Sequence, residues 1–416
     1  MSVTEICRSA AAAARVLRET PTEVKDRVLA RIAEAIDAER ARLKEANARD
    51  VEAARAAGTS ATLIDRLTLT DKRITGMVEA IRVIIGLPDP VGAVTGGGTR
   101  PNGLRVEQVR EPLGVVAVVY EARPNVTADV AALCLKSGNA AVLRGSSIAL
   151  HSNTAIAAVI REVLEAQDEV PAAAVQLVPD TSREAVLELL AAEEYVDLVV
   201  PRGGPGLIKT VKDNARVPTV IDGDGNCHVY VDASADPARA TAIVLNAKTS
   251  RPSVCNALET LLVHEDLAAG WLPGVLDELA AQGVTVRGDG RTREAWPKAE
   301  EATEEDWSTE YLDLVLAVKV VPDLDAALDH IHRYGTRNAE AVVAQDYSVA
   351  RRFALSADSG SVFVNTSTRF SDGGEFGYGV EIGVSTQKLH ARGPMGLESL
   401  TCVKNVVWGE GQIRVL

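Results

Sequence analysis

The segment KTSRPSVCNALETLLV (248–263) holds the cysteine best placed for chemistry, Cys255, between a basic, proline-containing loop and a short apolar run. A thiol held near cations is favoured as the thiolate, the form that attacks an acyl carbon. A lone cysteine is more commonly a small buried hydrophobe, so Cys255 needs support from its setting. Other loops add polar groups: EARPN (121–125), RGSS (144–147), PRGGPG (201–206) and DGDGN (222–226) each follow a β-rich run. In PRGGPGLIK, glycines precede a helix, where free backbone N–H groups can face a phosphate. That signal is weak, because Gly and Pro also punctuate ordinary turns.

The elements that must position these residues are legible. The 416 residues exceed one ordinary core, so two domains with a third small element are expected. Residues 1–90 carry helical periodicity, and the stretch 22–58 ends at Gly58 as a helix end should. The runs GVVAVVY (114–120), AAVLRG (140–145), AVQLVPD (174–180), VDLVVPRGG (196–204) and PTVIDG (218–223) alternate with helical segments. That alternation predicts a mostly parallel sheet covered on both faces, with ligands at the carboxyl ends of the strands. A second α/β region begins near residue 229. The final LTCVKNVVWGEGQIRVL reads as an extended arm that pairs with QVREPLG (108–114) outside the core, an arrangement that favours oligomerisation.

Composition excludes several classes. Hydrophobic content of 46% with 25% charged residues is globular, and no apolar run reaches the roughly 18 residues of a membrane span. The N-terminus lacks the pattern of a cleaved leader. Five scattered cysteines fit reduced thiols in a cytoplasmic protein. A net charge of −14 argues against nucleic acid, and it makes basic residues inside polar loops informative for any anionic ligand. The acidic run EEATEEDW (300–307) reads as a solvated surface segment. No metal is expected. Cys227 and His228 are adjacent and point to opposite faces of a strand, while His330 and His332 have no third ligand near in sequence. Cys134, among Ala and Leu, reads as core.

Longer motifs carry a resemblance. YEARPNVTADVAALCLKSGNAAVLRGSSIALHSN (120–153), PRGGPGLIKTV (201–211), GNCHVYVD (225–232), AKTSRPSVCNALETLLVH (247–264), TEYLDLVLAVKVV (309–321) and FGYGVEIGVSTQKLHARGPMGL (376–397) resemble the gamma-glutamyl phosphate reductases of the aldehyde dehydrogenase superfamily, in family order. The resemblance implies an α/β, aldehyde dehydrogenase-like fold: a parallel-sheet cofactor domain, an α/β catalytic domain and a small oligomerisation flap. The implied boundaries are 1–228 for the N-terminal helices and cofactor domain, with 100–113 in the flap; 229–365 for the catalytic domain; and 366–416 for the return segment and arm.

The same resemblance implies roles. Cys255 would be the nucleophile and Asn125 the side-chain donor of the oxyanion hole. Arg144, Ser146 and Ser147 would hold the adenosine ribose; an arginine with two hydroxyls suits a 2′-phosphate, hence NADPH/NADP+. Gly203 and Gly204 would pack near the pyrophosphate, and Glu310 would contact the nicotinamide ribose. Lys248, Arg251, Lys388 and Arg392 are the candidates for an anionic small-molecule substrate, each with a surface charge as its bland alternative. Asp222 stands where the reductases commonly have a glutamate, and its role stays open. The implied reaction reduces L-glutamate 5-phosphate to L-glutamate 5-semialdehyde through a cysteine thioester in proline biosynthesis. The implied partners are copies of the chain itself and a transient contact with glutamate 5-kinase. The rivals are hydrolytic or coenzyme A-dependent aldehyde oxidation, and a non-catalytic scaffold for that kinase.

Overall fold

The computed structural model describes residues 1–221 and 223–414; Asp222 lies outside the described residues. The chain divides into two compact units. One comprises Met1–Ile221, Gly377–Gly383 and Met395–Leu416, the other Asp222–Phe376 and Val384–Pro394. The first division therefore falls after residue 221 and not 228, because Cys227–Val231 is a strand of the second unit's sheet. Residues 366–376 also stay with the second unit.

In the first unit four parallel strands run in the spatial order Val175–Leu177, Ala140–Gly145, Val115–Tyr120, Leu198–Arg202. The two central ones are buried at every position, as uninterrupted apolar runs require of a sheet covered on both faces. Helices Asn125–Lys136, Leu150–Glu165, Arg183–Leu190 and Pro205–Asn214 follow the four strands in turn as the chain proceeds. The chain builds outward from Val115–Tyr120, then returns to that strand's other side with Leu198–Arg202. Strand order therefore reverses between these two, where α/β sheets open a crevice at their carboxyl ends.

Two sequence expectations change here. The periodic stretch 22–58 is two helices, Thr22–Ala38 and Arg40–Ala56, broken at Glu39; Gly58 closes the second at φ +71°. PTVIDG forms no further strand among the described residues, only an isolated parallel bridge from Thr219 to Val199. Pro218 accepts the Val199 N–H at 2.9 Å but has no N–H to extend a ladder.

The arm is present. Val94–Thr99, Arg105–Pro112 and Thr401–Trp408 form an antiparallel sheet, with Thr401 opposite Pro112 and Trp408 opposite Arg105. Val403, Val407 and Trp408 on it are exposed.

The second unit has a seven-stranded parallel sheet in the order Glu300–Glu301, Thr285–Gly288, Val315–Val321, Leu258–His264, Cys227–Val231, Ala339–Val343, Ser361–Val364. Its core includes Val229, Val244, Leu261, Leu276, Val318 and Ala341, all fully buried. The segment 300–307 is less solvated than its charge suggests. Glu300–Glu301 is an edge strand, and Asp306 and Trp307 are buried. Asp306 accepts from Arg287 Nη1 at 2.5 Å, the Thr303 N–H at 2.7 Å and the Tyr311 hydroxyl at 2.8 Å. Burial raises its pKa, but these donors outweigh it and hold the carboxyl at about 2.

Candidate active site

Because every strand of the second sheet runs the same way, residues preceding its strands gather at one end. Gly225, Cys255, Glu310, Arg337 and Asp358 all precede strands, so they share the amino end. Cys255 follows the helix Pro237–Thr249 and leads into the strand Leu258–His264, and it is partly exposed. Its backbone is pinned from several sides. A side chain on Gly225 would overlap the Cys255 carbonyl, so only glycine allows that approach. The Cys227 thiol donates to the Cys255 carbonyl at 3.2 Å. Asn256 Nδ2 donates to the carbonyls of Arg369 and Ser371, and Thr368 Oγ1 donates to the Asn256 carbonyl at 2.8 Å. Glu310 accepts the Gly225 N–H at 2.8 Å and so stands beside the nucleophile loop.

The basic candidates separate. Lys248 is fully buried, and its Nζ donates to Glu259 Oε2 at 2.6 Å. It faces the unit's interior, because helix Pro237–Thr249 turns it inward onto Glu259. Burial pushes Glu259 up to about 7 against the pull of Lys248. Lys388 and Arg392 converge on Asp358: Lys388 Nζ lies 2.6 Å from Oδ2, and Arg392 Nη2 donates to Oδ1 and to the Asp358 carbonyl at 2.9 Å. The Lys388 bond chiefly holds the Asp358 carboxyl below its ordinary value. Arg251 is exposed, four residues before Cys255.

In the first unit the expected cofactor residues lie at the carboxyl ends. Gly203 and Gly204 follow the strand Leu198–Arg202 and open the helix Pro205–Asn214, at the reversal of strand order. A side chain at Gly203 would come within 2.6 Å of Glu121 Cδ and 2.8 Å of Leu207 Cδ2. The Gly204 N–H donates to Glu121 Oε2 at 3.1 Å, so a carboxylate already sits at that helix start. Arg144 is buried; its Nη2 donates to the carbonyls of Thr181 and Ser182 at 2.5 and 2.9 Å. Burial lowers its pKa and Asp180 opposes that. Arg144 Nε and Ser146 Oγ are buried without a protein partner, while Ser147 is exposed. Asn125 begins the helix Asn125–Lys136, and its Nδ2 donates to Asp129 Oδ2 at 2.8 Å, one helical turn on. Burial pushes Asp129 up to about 6, against the Asn125 amide and Arg202.

The sequence reading overlooked Gly225, Asp129 and Arg369. For Arg369 a signal existed: it is a basic residue in the Ser/Thr-rich loop NTSTRF, behind the β-run SVFV. His330 and His332 lie on the helix Leu324–Tyr334, one buried and one exposed, so they share no face. Cys134 is fully buried and its thiol is pushed up to about 12 by burial. Among the described residues no cluster of three His, Cys, Asp or Glu could hold a metal, and no helix is long and apolar enough to cross a membrane.

The sequence pattern of the aldehyde dehydrogenase family matches residues 1–293. A gamma-glutamyl phosphate reductase of Moorella thermoacetica is 55% identical over 402 residues, covering 97% of this chain and 96% of the relative. One from Thermobifida fusca is 53% identical over 412 residues, covering 99% and 98%. This chain belongs to the aldehyde dehydrogenase family, among its gamma-glutamyl phosphate reductases. The crystal structure of the Thermotoga maritima gamma-glutamyl phosphate reductase superposes with a TM-score of 0.98 at 48% identity, covering all of both chains. The aldehyde dehydrogenase-like fold and an oxidoreductase activity follow from that membership.

Proposed function

We propose that the enzyme reduces L-glutamate 5-phosphate to L-glutamate 5-semialdehyde and phosphate, using NADPH and a thioester on Cys255. The observation that carries this reading is the nucleophile loop itself. A partly exposed thiol sits on a backbone fixed by Gly225, Cys227 and Asn256, with the turn that carries Arg369 bonded to the same loop. Such a thiol is held for attack and does not serve as core packing.

Cys255 Sγ attacks the acyl carbon, the Sγ–C bond forms, and the acyl C–O bond breaks as phosphate leaves. Asn125 is the proposed oxyanion donor. Its amide is oriented by Asp129, which takes one Nδ2 hydrogen and leaves the other for the developing charge. A dinucleotide fits the residues of the first unit. Ser146 Oγ and Arg144 Nε are buried polar atoms awaiting a partner, and Gly203 keeps the strand-order reversal narrow. Ser146, Ser147 and Arg144 would take the adenosine ribose and its 2′-phosphate, Gly203 and Gly204 the pyrophosphate, and Glu310 the nicotinamide ribose. When bound, the cofactor supplies the hydride that reduces the thioester. Arg251, Lys388 and Arg392 serve the anionic substrate, with Asp358 holding the latter two in place.

A cytoplasmic setting, a homo-oligomer built through the antiparallel arm, and a transient hand-over from glutamate 5-kinase belong to the same proposal. The test is oxidation of glutamate 5-semialdehyde by the purified protein. Turnover should require both phosphate and NADP+. Turnover without phosphate, or only with coenzyme A, points to a different aldehyde dehydrogenase chemistry.

A further inference from the structure

Arg369 has no role in the reading so far, yet the fold brings it to the nucleophile. It lies on the short helical turn Thr368–Phe370, and its Nε donates to Ser250 Oγ at 3.2 Å. Ser250 immediately precedes Arg251. The Arg369 carbonyl accepts from Asn256, the residue after Cys255, at 3.4 Å, and Thr368 bonds back to the Asn256 carbonyl. The turn 367–371 is thus laced to the Cys255 loop on both sides of the thiol.

The electrostatics agree with this placement. Burial lowers the Arg369 pKa, Arg251 lowers it further, and Asp372, Cys255 and Cys227 act in the opposite direction. Two guanidinium groups are therefore close enough to repel, and Arg369 stands near the Cys255 thiol. Among the described residues neither is within ion-pair distance of a carboxylate. The Asp372 carboxylate is engaged instead by the Gly374 N–H at 2.8 Å. Holding like charges together costs free energy unless an anion joins them.

The helix that leads into this loop does not supply that compensation. The helix Pro237–Thr249 presents its carboxyl end to this loop, which contributes partial negative charge. Side-chain cations are then well suited to stabilise a phosphate here.

We infer that Arg369 and Arg251 form the clamp for the phosphoryl group of the acyl phosphate. The inference rests on the reductase reading above and adds a subsite to it. The phosphoryl group is one oxygen away from the carbon that Sγ attacks, whereas the substrate's α-carboxylate is several bonds farther along the chain. Cations grouped around the thiol therefore face the phosphoryl oxygens. When the acyl C–O bond breaks, the departing phosphate keeps the bonding electron pair and gains one negative charge. It takes a proton from water after release. A bidentate guanidinium pair matches this growing charge better than a point charge does.

The test varies phosphate in the reverse direction. Arg369→Ala should raise the phosphate KM by about tenfold or more, the loss expected for one charge-assisted contact. The semialdehyde and NADP+ KM values should change less than about twofold, and Arg369→Lys should recover part of the loss. A second readout needs no turnover. Inorganic phosphate should protect Cys255 from alkylation by iodoacetamide in the unmodified enzyme and in Arg369→Lys, but not in Arg369→Ala. An unchanged phosphate KM with retained protection in Arg369→Ala overturns the clamp while leaving the reductase reading intact. A raised semialdehyde KM instead of a raised phosphate KM assigns Arg369 to the α-carboxylate and also overturns it. Absence of phosphate-dependent turnover in the unmodified enzyme defeats the underlying reading.

Discussion

The two parallel sheets of this chain put their candidate site residues at opposite ends. In the first unit Glu121, Asn125, Ser146 and Gly203 follow strands. In the second Gly225, Cys255, Glu310 and Asp358 precede them. The difference has an electrostatic consequence. Carboxyl ends of parallel strands lead into helix amino ends, whose free N–H groups favour an anion without any side-chain charge. Amino ends of strands receive helix carboxyl ends, which disfavour one. On the proposed roles, the first unit would hold a pyrophosphate with glycines, while the second would recruit arginines to hold a phosphate. A chain with net charge −14 would then bind two phosphate-bearing ligands by two different means.

The sharpest way to break that contrast is at the nucleophile. Cys255→Ala should lower turnover by on the order of 10⁵-fold, with NADPH affinity measured by fluorescence titration nearly unchanged. Substantial residual turnover would move the nucleophile elsewhere.

Next in size are the two glycines. Gly225→Ala forces a Cβ into the Cys255 carbonyl, so the nucleophile is displaced and kcat should fall on the order of a hundredfold. Gly203→Ala meets first the side chains of Glu121 and Leu207, and should raise the NADPH KM several-fold with little effect on kcat. Steady-state kinetics on both variants tests whether the units divide the work in this way; the reverse pattern would contradict it.

Arg144→Ala should weaken NADPH about tenfold and NADH much less, if its guanidinium takes the 2′-phosphate. Its bonds to the Thr181 and Ser182 carbonyls offer the opposite outcome, an equal loss for both nucleotides because the loop before helix Arg183–Leu190 loosens. The ratio of the two KM values separates them.

The smallest effect concerns stability. Asp306 has a folded pKa of about 2, below its unfolded value. Its contribution is present above about pH 4 and is lost as pH falls toward 2. Asp306→Asn should cost about 2 kcal/mol at pH 7, and the gap to the unmodified protein should close in acid. Urea unfolding at pH 7 and at about pH 2 measures both ends; a gap independent of pH would remove Asp306 as the acid-sensitive group.

The parallel sheets and three of the four βα loops of the first unit were legible because each is written locally; DGDGN was not one of them, since it leads into the strand Cys227–Val231 of the second sheet. A buried parallel strand must be an unbroken apolar run, a helix must show its period, and the long motifs around Asn125, Gly203 and Cys255 are contiguous. PTVIDG misled for a local reason too, since an apolar run does not reveal that Pro218 cannot extend a ladder. What tertiary structure alone decided is where a charge points and what it meets. Lys248 and Arg251 are three residues apart in one basic stretch, yet the helix end turns Lys248 inward onto Glu259 and leaves Arg251 exposed. Arg369 is more than a hundred residues from Cys255 along the chain, and reaches it only because the turn after the strand Ser361–Val364 bonds to Asn256. Patterns along a chain encode burial, because burial repeats with the period of the backbone. Charge pairing between distant segments has no period, and only the folded packing sets it.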